Sequence, residues 1–379
     1  MSVAHDGKLS AMGPAYSGAK TAAERVFPHF AEHAGVSAPD LQTLEAIIDA
    51  AFWASLRREE GVSPRISMAY VAPEQAGRHM RFARPLPLAA PTLMRVAPAV
   101  ERPGMHLGVW RTNGDLSVWG ATRNLPAFSF VLETITPGLL VIKHSRGATS
   151  GKFVNVAAIE GDQIKVIDQQ AATLPDCPDL LISLLGLETQ FSSDESVSVL
   201  IQMAVSMREH GRGGSLLVTP AGSSQWGESI LQPVLYGVEP PFSVLADLMR
   251  KPPDVQQQGP WQDALRRAVE AIAGLTAVDG ATIITDRYEL LAFGAKIVRR
   301  PRFPQVDKLI VTEPIEGASP MVVEPSELGG TRHLSAAQFT HDQRDSISMV
   351  ASQDGRFTVF AWSPCDQMVH AHRIESLLL

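Results

Sequence analysis

Two short stretches carry the residue types from which a phosphate-handling site could be built. Asp279-Gly280-Ala281 opens the apolar run Ala281-Thr282-Ile283-Ile284, so an acid and a glycine fall where a loop feeds a strand. Further on, Gly329-Gly330-Thr331-Arg332-His333-Leu334-Ser335-Ala336-Ala337 reads as a glycine turn, a Thr N-cap at Thr331 and helix-forming residues. The start of a helix presents unpaired N–H groups and a partial positive charge. With Arg332 and the Ser335 hydroxyl beside it, such a start suits a phosphate chain. The carboxylate of Asp279 suits a divalent metal ion, or a hydroxyl that must lose its proton. Taken singly, Asp-Gly is an ordinary turn and Arg-His an ordinary exposed pair; taken together they point to a nucleotide site.

At these residues the chain resembles the diadenylate cyclase (DAC) domain. That family carries Asp-Gly-Ala, then Gly-Thr-Arg-His-Arg-x-Ala at a helix start, then a strand ending in Ser-Glu near a glycine. The corresponding segments are Asp279-Gly280-Ala281, Gly330-Thr331-Arg332-His333-Leu334-Ser335-Ala336 and Ser352-Gln353-Asp354-Gly355. Upstream, His210-Gly211-Arg212-Gly213-Gly214 followed by Ser215 to Thr219 is similar to the family's early basic turn and apolar strand. The resemblance covers residues 192 to 379. It departs from the family twice: Leu334 replaces the second arginine, and the neutral Gln353 replaces the acid of Ser-Glu.

The resemblance implies an activity and roles for the residues. Two ATP molecules would condense to cyclic di-AMP, a ribose 3′-hydroxyl attacking the α-phosphate of the other nucleotide with loss of pyrophosphate. Asp279, Arg332 and His333 would be catalytic, with Asp279 also holding Mg²⁺ or Mn²⁺. Gly280 and Ala281 would let the nucleotide approach the backbone. Gly330, Thr331, Ser335 and Ser352 would bind the phosphates, and Phe293 and Gly294 would lie near the base. Each subunit presents one ATP, so a homodimer with facing DAC domains is implied. Leu334 and Gln353 leave open a domain that binds a nucleotide without joining two, and a third alternative makes the second half a dimerising scaffold.

The elements that must position these residues follow from the pattern of the chain. Its 379 residues, 45% hydrophobic and 19% charged, predict a soluble protein with two domains. A net charge of -7 argues against a broad nucleic-acid-binding surface. Cys177 and Cys365 lie too far apart in sequence to frame a disulfide scaffold or a Cys-based zinc site, which fits a cytoplasmic protein. Residues 1 to 8 lack the apolar core of a signal peptide, and the best apolar run, Phe128 to Lys143, is broken by Glu133 and Pro137-Gly138, so no membrane segment is expected.

Residues 1–190 form the first predicted domain. Ser37-Ala38-Pro39-Asp40 predicts a helix opening with Ser37 as cap, and Leu41, Leu44, Ile47, Ile48, Ala51, Phe52 and Leu56 recur at helical spacing towards a stop at Gly61. Seven short β-type runs follow between Ile66 and Ile167, with Asn113-Gly114 as the hairpin signal. A helix plus a mostly antiparallel β-domain is expected, an arrangement that resembles the DACNV-like sensor modules preceding some DAC domains; it would receive a signal or partner the sequence does not name. The histidines here show no ligand spacing. Gly147-Ala148-Thr149-Ser150-Gly151-Lys152-Phe153 is one residue short of a P-loop and lacks its hydroxyl.

Residues 168 to 195 read as the junction. In residues 191–379, helices at 199–207, 242–249 and 261–275 and strands at 215–219, 281–285, 288–295, 308–311, 346–351 and 357–362 predict a mixed α/β (α+β) DAC-type domain, a central mixed sheet flanked by helices.

Overall fold

The computed structural model of the chain describes residues 15–33, 38–58, 61–102, 104–112, 114–147, 153–168, 194–256 and 258–379. Ser37, Asn113, residues 148–152 of the glycine loop, Cys177, the first fourteen residues and nearly all of the expected junction lie outside them. Two compact units are separated, Met1–Val166 with Leu379 and Ile167–Leu378; the expected boundary at 190/191 falls within the undescribed 169–193.

In the first unit, helices α1 (Ser17–His33) and α2 (Leu41–Ser55) precede a short α3 (Ala90–Val96). The helix cap is Asp40, whose carboxylate accepts from the Thr43 N–H at 2.7 Å, and the helix ends at Ser55. This corrects the reading of Ser37 as cap and Gly61 as stop: an Asp directly before the first apolar residue competes better for the unpaired amides. α1 has no counterpart in the sequence reading, since Pro28 inside it masks its period.

The strands of this unit are β1 (Ser67–Tyr70), β2 (His79–Pro87), β3 (His106–Thr112), β4 (Asp115–Thr122), β5 (Phe130–Thr136), β6 (Leu139–Ser145), β7 (Phe153–Glu160) and β8 (Gln163–Val166). They form one sheet in the order β2-β4-β3-β1-β5-β6-β7-β8, in which β1 and β3 run parallel and every other pair antiparallel. Alternate residues Met68, Leu107, Leu132 and Ile142 share a core with Leu44, Ile47 and Ile48 of α2. The residues between them, Ala69, Val71, Trp119 and Val131, form a second buried cluster, so alternate side chains point to two covered faces.

The second unit is built on a nine-stranded mixed sheet. Its strands are β9 (Gly214–Thr219), β10 (Tyr236–Phe242), β11 (Ala281–Thr285), β12 (Leu290–Ala295), β13 (Leu309–Thr312), β14 (Met321–Val323), β15 (Ile347–Ala351), β16 (Phe357–Ser363) and β17 (Met368–Arg373). Their order is β10-β12-β11-β9-β15-β16-β17-β13-β14, with β9/β11 and β13/β17 parallel. The helices are α4 (Asp194–Glu209), α5 (Val244–Met249), α6 (Pro253–Gln256), α7 (Gly259–Leu275), α8 (Pro325–Leu328) and α9 (Thr331–Asp342).

α4 and α7 cover one face, where Met203, Val269 and Ile272 pack with Leu216, Ile284 and Met349. α9 covers the other, Ala336 and Ala337 meeting Val350 and Phe360 while Phe339 meets Ile283 and Leu217. Each of the larger of these side chains, the Val, Leu, Ile, Met and Phe, contributes roughly 1.5–3 kcal/mol when taken out of water. The central strands β9 and β11 are buried at every position because both faces are covered. The expected mixed sheet flanked by helices is present in this unit, while β10, β14 and β17 add strands the sequence pattern did not disclose.

Candidate functional site

α7 hides Leu265, Ala268, Val269, Ile272 and Ala273 against the sheet and is capped by Thr276, leaving four residues, Ala277 to Gly280, to turn the chain into β11. Asp279 and Gly280 occupy that turn. Gly280 has φ 118°, and a Cβ there would lie 2.6 Å from the Gly294 carbonyl oxygen and 2.9 Å from the Ala295 nitrogen. Glycine is thus demanded twice, by the backbone conformation and by the close approach of β12. The Ala281–Ala295 pairing of β11 and β12 then carries the next residue, Lys296, alongside Asp279. Lys296 Nζ donates to Asp279 Oδ2 at 2.6 Å.

On the far side of the cleft stands the start of α9. Its N-cap is Gly330 in extended conformation, making no side-chain cap bond, with Thr331 as the first helical residue. This corrects Thr331 as cap; the His333 and Leu334 N–H groups donate to the Gly330 carbonyl at 3.0 and 3.3 Å. A cavity of about 190 Å³ is lined by Ser215, Asp279, Gly280, Ala281, Lys296, Thr331, Arg332 and Ser335, among others. Loop, strand and helix residues separated in sequence by up to 120 positions (335 minus 215) therefore meet around one opening.

A second cavity of about 370 Å³ is mostly apolar, formed by Leu231, Val234, Leu235, Tyr236, Val278 and Gly294. Asp279, Ala295 and Lys296 line both cavities. Phe293 stacks on Tyr236 with ring centroids 4.9 Å apart and planes 6° apart, beside this apolar pocket. A cationic cleft and an apolar pocket thus share one wall, and that wall carries the acid.

The charges are unevenly placed. The Lys296 hydrogen bond and then its charge hold the Asp279 carboxyl below the usual carboxylate range, with Arg332 pulling in the same direction. Asp279 is therefore ionised at neutral pH, a poor proton store but a ready partner for a cation or a hydroxyl. The Arg332 guanidinium lies over the basic turn: a Cβ on Gly213 would come within 3.0 Å of its Nη1 and 3.3 Å of Gln353 Cγ. Gln353 Nε2 donates to the Arg212 carbonyl at 3.4 Å, so the end of β15 closes against the same turn.

Four residues expected at the site, Phe293, Gly330, His333 and Ser352, line neither cavity. His333 is 6% exposed, its ring set against Gly329 and 6.1 Å from that of Phe360. Burial pushes its imidazole below the usual range, Asp354 opposing and Arg356, Arg373 and Arg332 reinforcing, so it is neutral at pH 7. Ser352 sits in the turn between β15 and β16, donating from its N–H to the Arg356 carbonyl at 2.9 Å while its hydroxyl serves the Asp354 carboxylate and lowers its pKa. Leu334, in place of the family's arginine, is 37% exposed.

Lys296, Ser215 and Tyr236 were not singled out from the sequence. The lysine had a signal available: a basic residue directly after a strand that pairs with the strand carrying the acid.

Among the described residues, Asp279 is the only acidic side chain lining the polar cleft, and no group of three or more His, Cys, Asp or Glu is placed to hold a metal ion. That donor set fits Mg²⁺ or Mn²⁺ carried in on phosphate oxygens, with one protein carboxylate; it does not fit an ion held by protein ligands alone.

Comparison with known proteins adds a finding in the other unit. Residues 33–123 match the family model described as probable sensor domain DACNV, a span from the end of α1 to β4. A probable sensor domain is thus present in the first unit. No curated protein matches the chain. Among the described residues, no helix is long and apolar enough to cross a membrane.

Proposed function

We propose that the second unit is a diadenylate cyclase, condensing two ATP molecules into cyclic di-AMP and pyrophosphate, and that the sensor-bearing first unit adjusts it. One observation carries this: Asp279 with Lys296 and Arg332 with the start of α9 converge on one cleft, and the cleft adjoins an apolar pocket of a size for a base. The order of groups along a nucleotide matches the order of surfaces. The base packs in the pocket beside Tyr236 and Phe293, the ribose reaches the shared wall, and the phosphates run towards Arg332, Thr331 and Ser335.

Catalysis is then alignment and charge neutralisation. Asp279, held ionised, orients the ribose hydroxyl and accepts its hydrogen bond as the proton leaves. Arg332 and the amides of α9 take up the charge of the departing pyrophosphate. A divalent ion, when bound with the nucleotide, would supply further charge neutralisation next to Asp279. Neutral His333, set against Gly329 and the Phe360 ring, holds the helix start in place. Because one cleft presents one nucleotide, a cyclic product needs an opposed second copy, making the active form a homodimer.

A second reading has its own support. Leu334 removes a phosphate donor and Gln353 an acid from the family pattern, which favours a domain that binds ATP or a cyclic dinucleotide without synthesis. The purified chain with ATP and Mn²⁺ or Mg²⁺, scored for cyclic di-AMP, separates the two. Product from wild type and none from Asp279→Asn supports the cyclase. Saturable ATP binding without product, lost in Arg332→Ala, supports the sensor.

A further inference from the structure

We propose that Lys296 binds the α-phosphate of the nucleotide, the group at which the new bond forms, while Arg332 serves the β- and γ-phosphates. This deepens the nucleotide site proposed above and depends on it.

Placement comes first. Lys296 follows β12 directly, and its backbone is fixed: its carbonyl accepts from the Leu231 N–H at 2.8 Å, and two residues later the Val298 N–H donates to Ser229 at 2.9 Å. Its side chain is nevertheless 53% exposed. With Asp279 and Ala295 it lines the wall common to both cavities. Arg332, Thr331 and Ser335 line only the polar one. In a nucleotide whose base fills the apolar pocket, the α-phosphate is the first charged group past the ribose, and so the first to pass the shared wall.

Chemistry comes second. An ammonium has three donors and no acceptor. One is used on Asp279, and no further hydrogen bond from Nζ occurs among the described residues, so two remain for phosphate oxygens. Lysine acts on phosphate as a point charge, suited to one tetrahedral group, where the planar arginine fork suits the longer run beyond.

In the reaction, the 3′-oxygen of one nucleotide forms a bond to the α-phosphorus of the other. The bond from that phosphorus to its bridging oxygen breaks, pyrophosphate leaves with the electron pair, and the hydroxyl proton passes to solvent. An ammonium on the non-bridging α-oxygens screens the approaching oxygen from their charge. By this contact Lys296 is a catalytic residue, holding the α-phosphorus that the 3′-hydroxyl of the nucleotide in the opposed copy attacks.

The test is a ligand series on the full chain: adenosine, AMP and ATP, titrated calorimetrically against wild type, Lys296→Met, Arg332→Ala, Asp279→Asn and Asp279→Asn/Lys296→Met. Methionine keeps the apolar stem and removes the charge. Lys296→Met is expected to weaken AMP and ATP alike, by roughly tenfold to a hundredfold for a lost charge-assisted hydrogen bond, and to leave adenosine unchanged. Arg332→Ala should weaken ATP and spare AMP. The loss on AMP should persist when the double variant is compared with Asp279→Asn alone, since a lysine that only pinned Asp279 would then have nothing left to do. AMP and ATP binding at wild-type strength in Lys296→Met, or a loss confined to chains carrying Asp279, overturns the role of Lys296 alone. Failure of wild type to bind any of the three overturns the nucleotide site itself.

Discussion

The chain contains one kind of ion pair in two settings. In the first unit Lys143 Nζ meets Glu133 Oε2 at 2.8 Å, with side chains 14% and 25% exposed. In the second, Lys296 meets Asp279 at 2.6 Å, with side chains 53% and 90% exposed. The first pair is surrounded: Ser67 donates to Glu133 at 3.2 Å and lies 2.7 Å from His106 Nδ1, and His106 is fully buried. Burial raises the Glu133 pKa, but Lys143, through its charge and hydrogen bond, then His106 and Ser67 outweigh it and hold the acid below its usual range. Such a pair is committed to the fold, because either partner alone would be stranded away from water. The second pair loses little water and gains little stability, so its members are free to exchange partners for a ligand.

The comparison breaks most visibly at Asp279. Asp279→Asn should lower cyclic di-AMP formation by about a hundredfold or more, the range of a lost proton-handling group, with the urea unfolding midpoint unchanged. Glu133→Ala should do the reverse, costing about 3 kcal/mol of stability through the stranded Lys143, read as a lowered urea midpoint. A midpoint shift in Asp279→Asn as large as that in Glu133→Ala would erase the distinction. Gly280→Ala should cost about 2 kcal/mol, since its Cβ meets β12 backbone; nucleotide affinity falls with it, because the turn carries Asp279.

Acidification sharpens the contrast between buried and exposed groups. Burial, reinforced by His370, pushes the His372 imidazole from 6.5 down to about 3, while its Nδ1 stays 2.7 Å from Thr312 Oγ1. Below pH 6.5 the unfolded chain takes up a proton that the folded chain refuses until about pH 3. Stability is therefore lost as pH falls through that window, by about 1.4 kcal/mol per pH unit for this group. Urea titrations at pH 6.5 and 5.5 measure it, and His372→Gln should flatten the slope.

Much of the fold was legible because it follows from local period. The seven β-type runs of the first half became strands, being short, apolar and bounded by turn residues, and residues 261–275 became α7, whose apolar stripe is buried. β10 was not legible: Tyr-Gly-Val-Glu-Pro-Pro-Phe contradicts a central strand, and it survives as a strand only at the sheet edge, where missing N–H groups cost nothing. His333 could have been placed inside, since it shares a helix face with Ala336, Ala337 and Thr340, all buried.

By itself, the sequence determined the turn at Asp279-Gly280, the glycine before a helix at Thr331 and Arg332, and the apolar strands between. Those depend on backbone conformation and side-chain period within a few residues of each other. Which lysine faces the acid, which histidine turns inward and which tyrosine walls the pocket were decided only by the tertiary structure. Ladder register pairs Ala281 with Ala295, and the seat of α9 on the sheet sets what its first turn presents. Both depend on hydrogen bonds and packing between segments far apart in the chain, for which no local pattern holds a record.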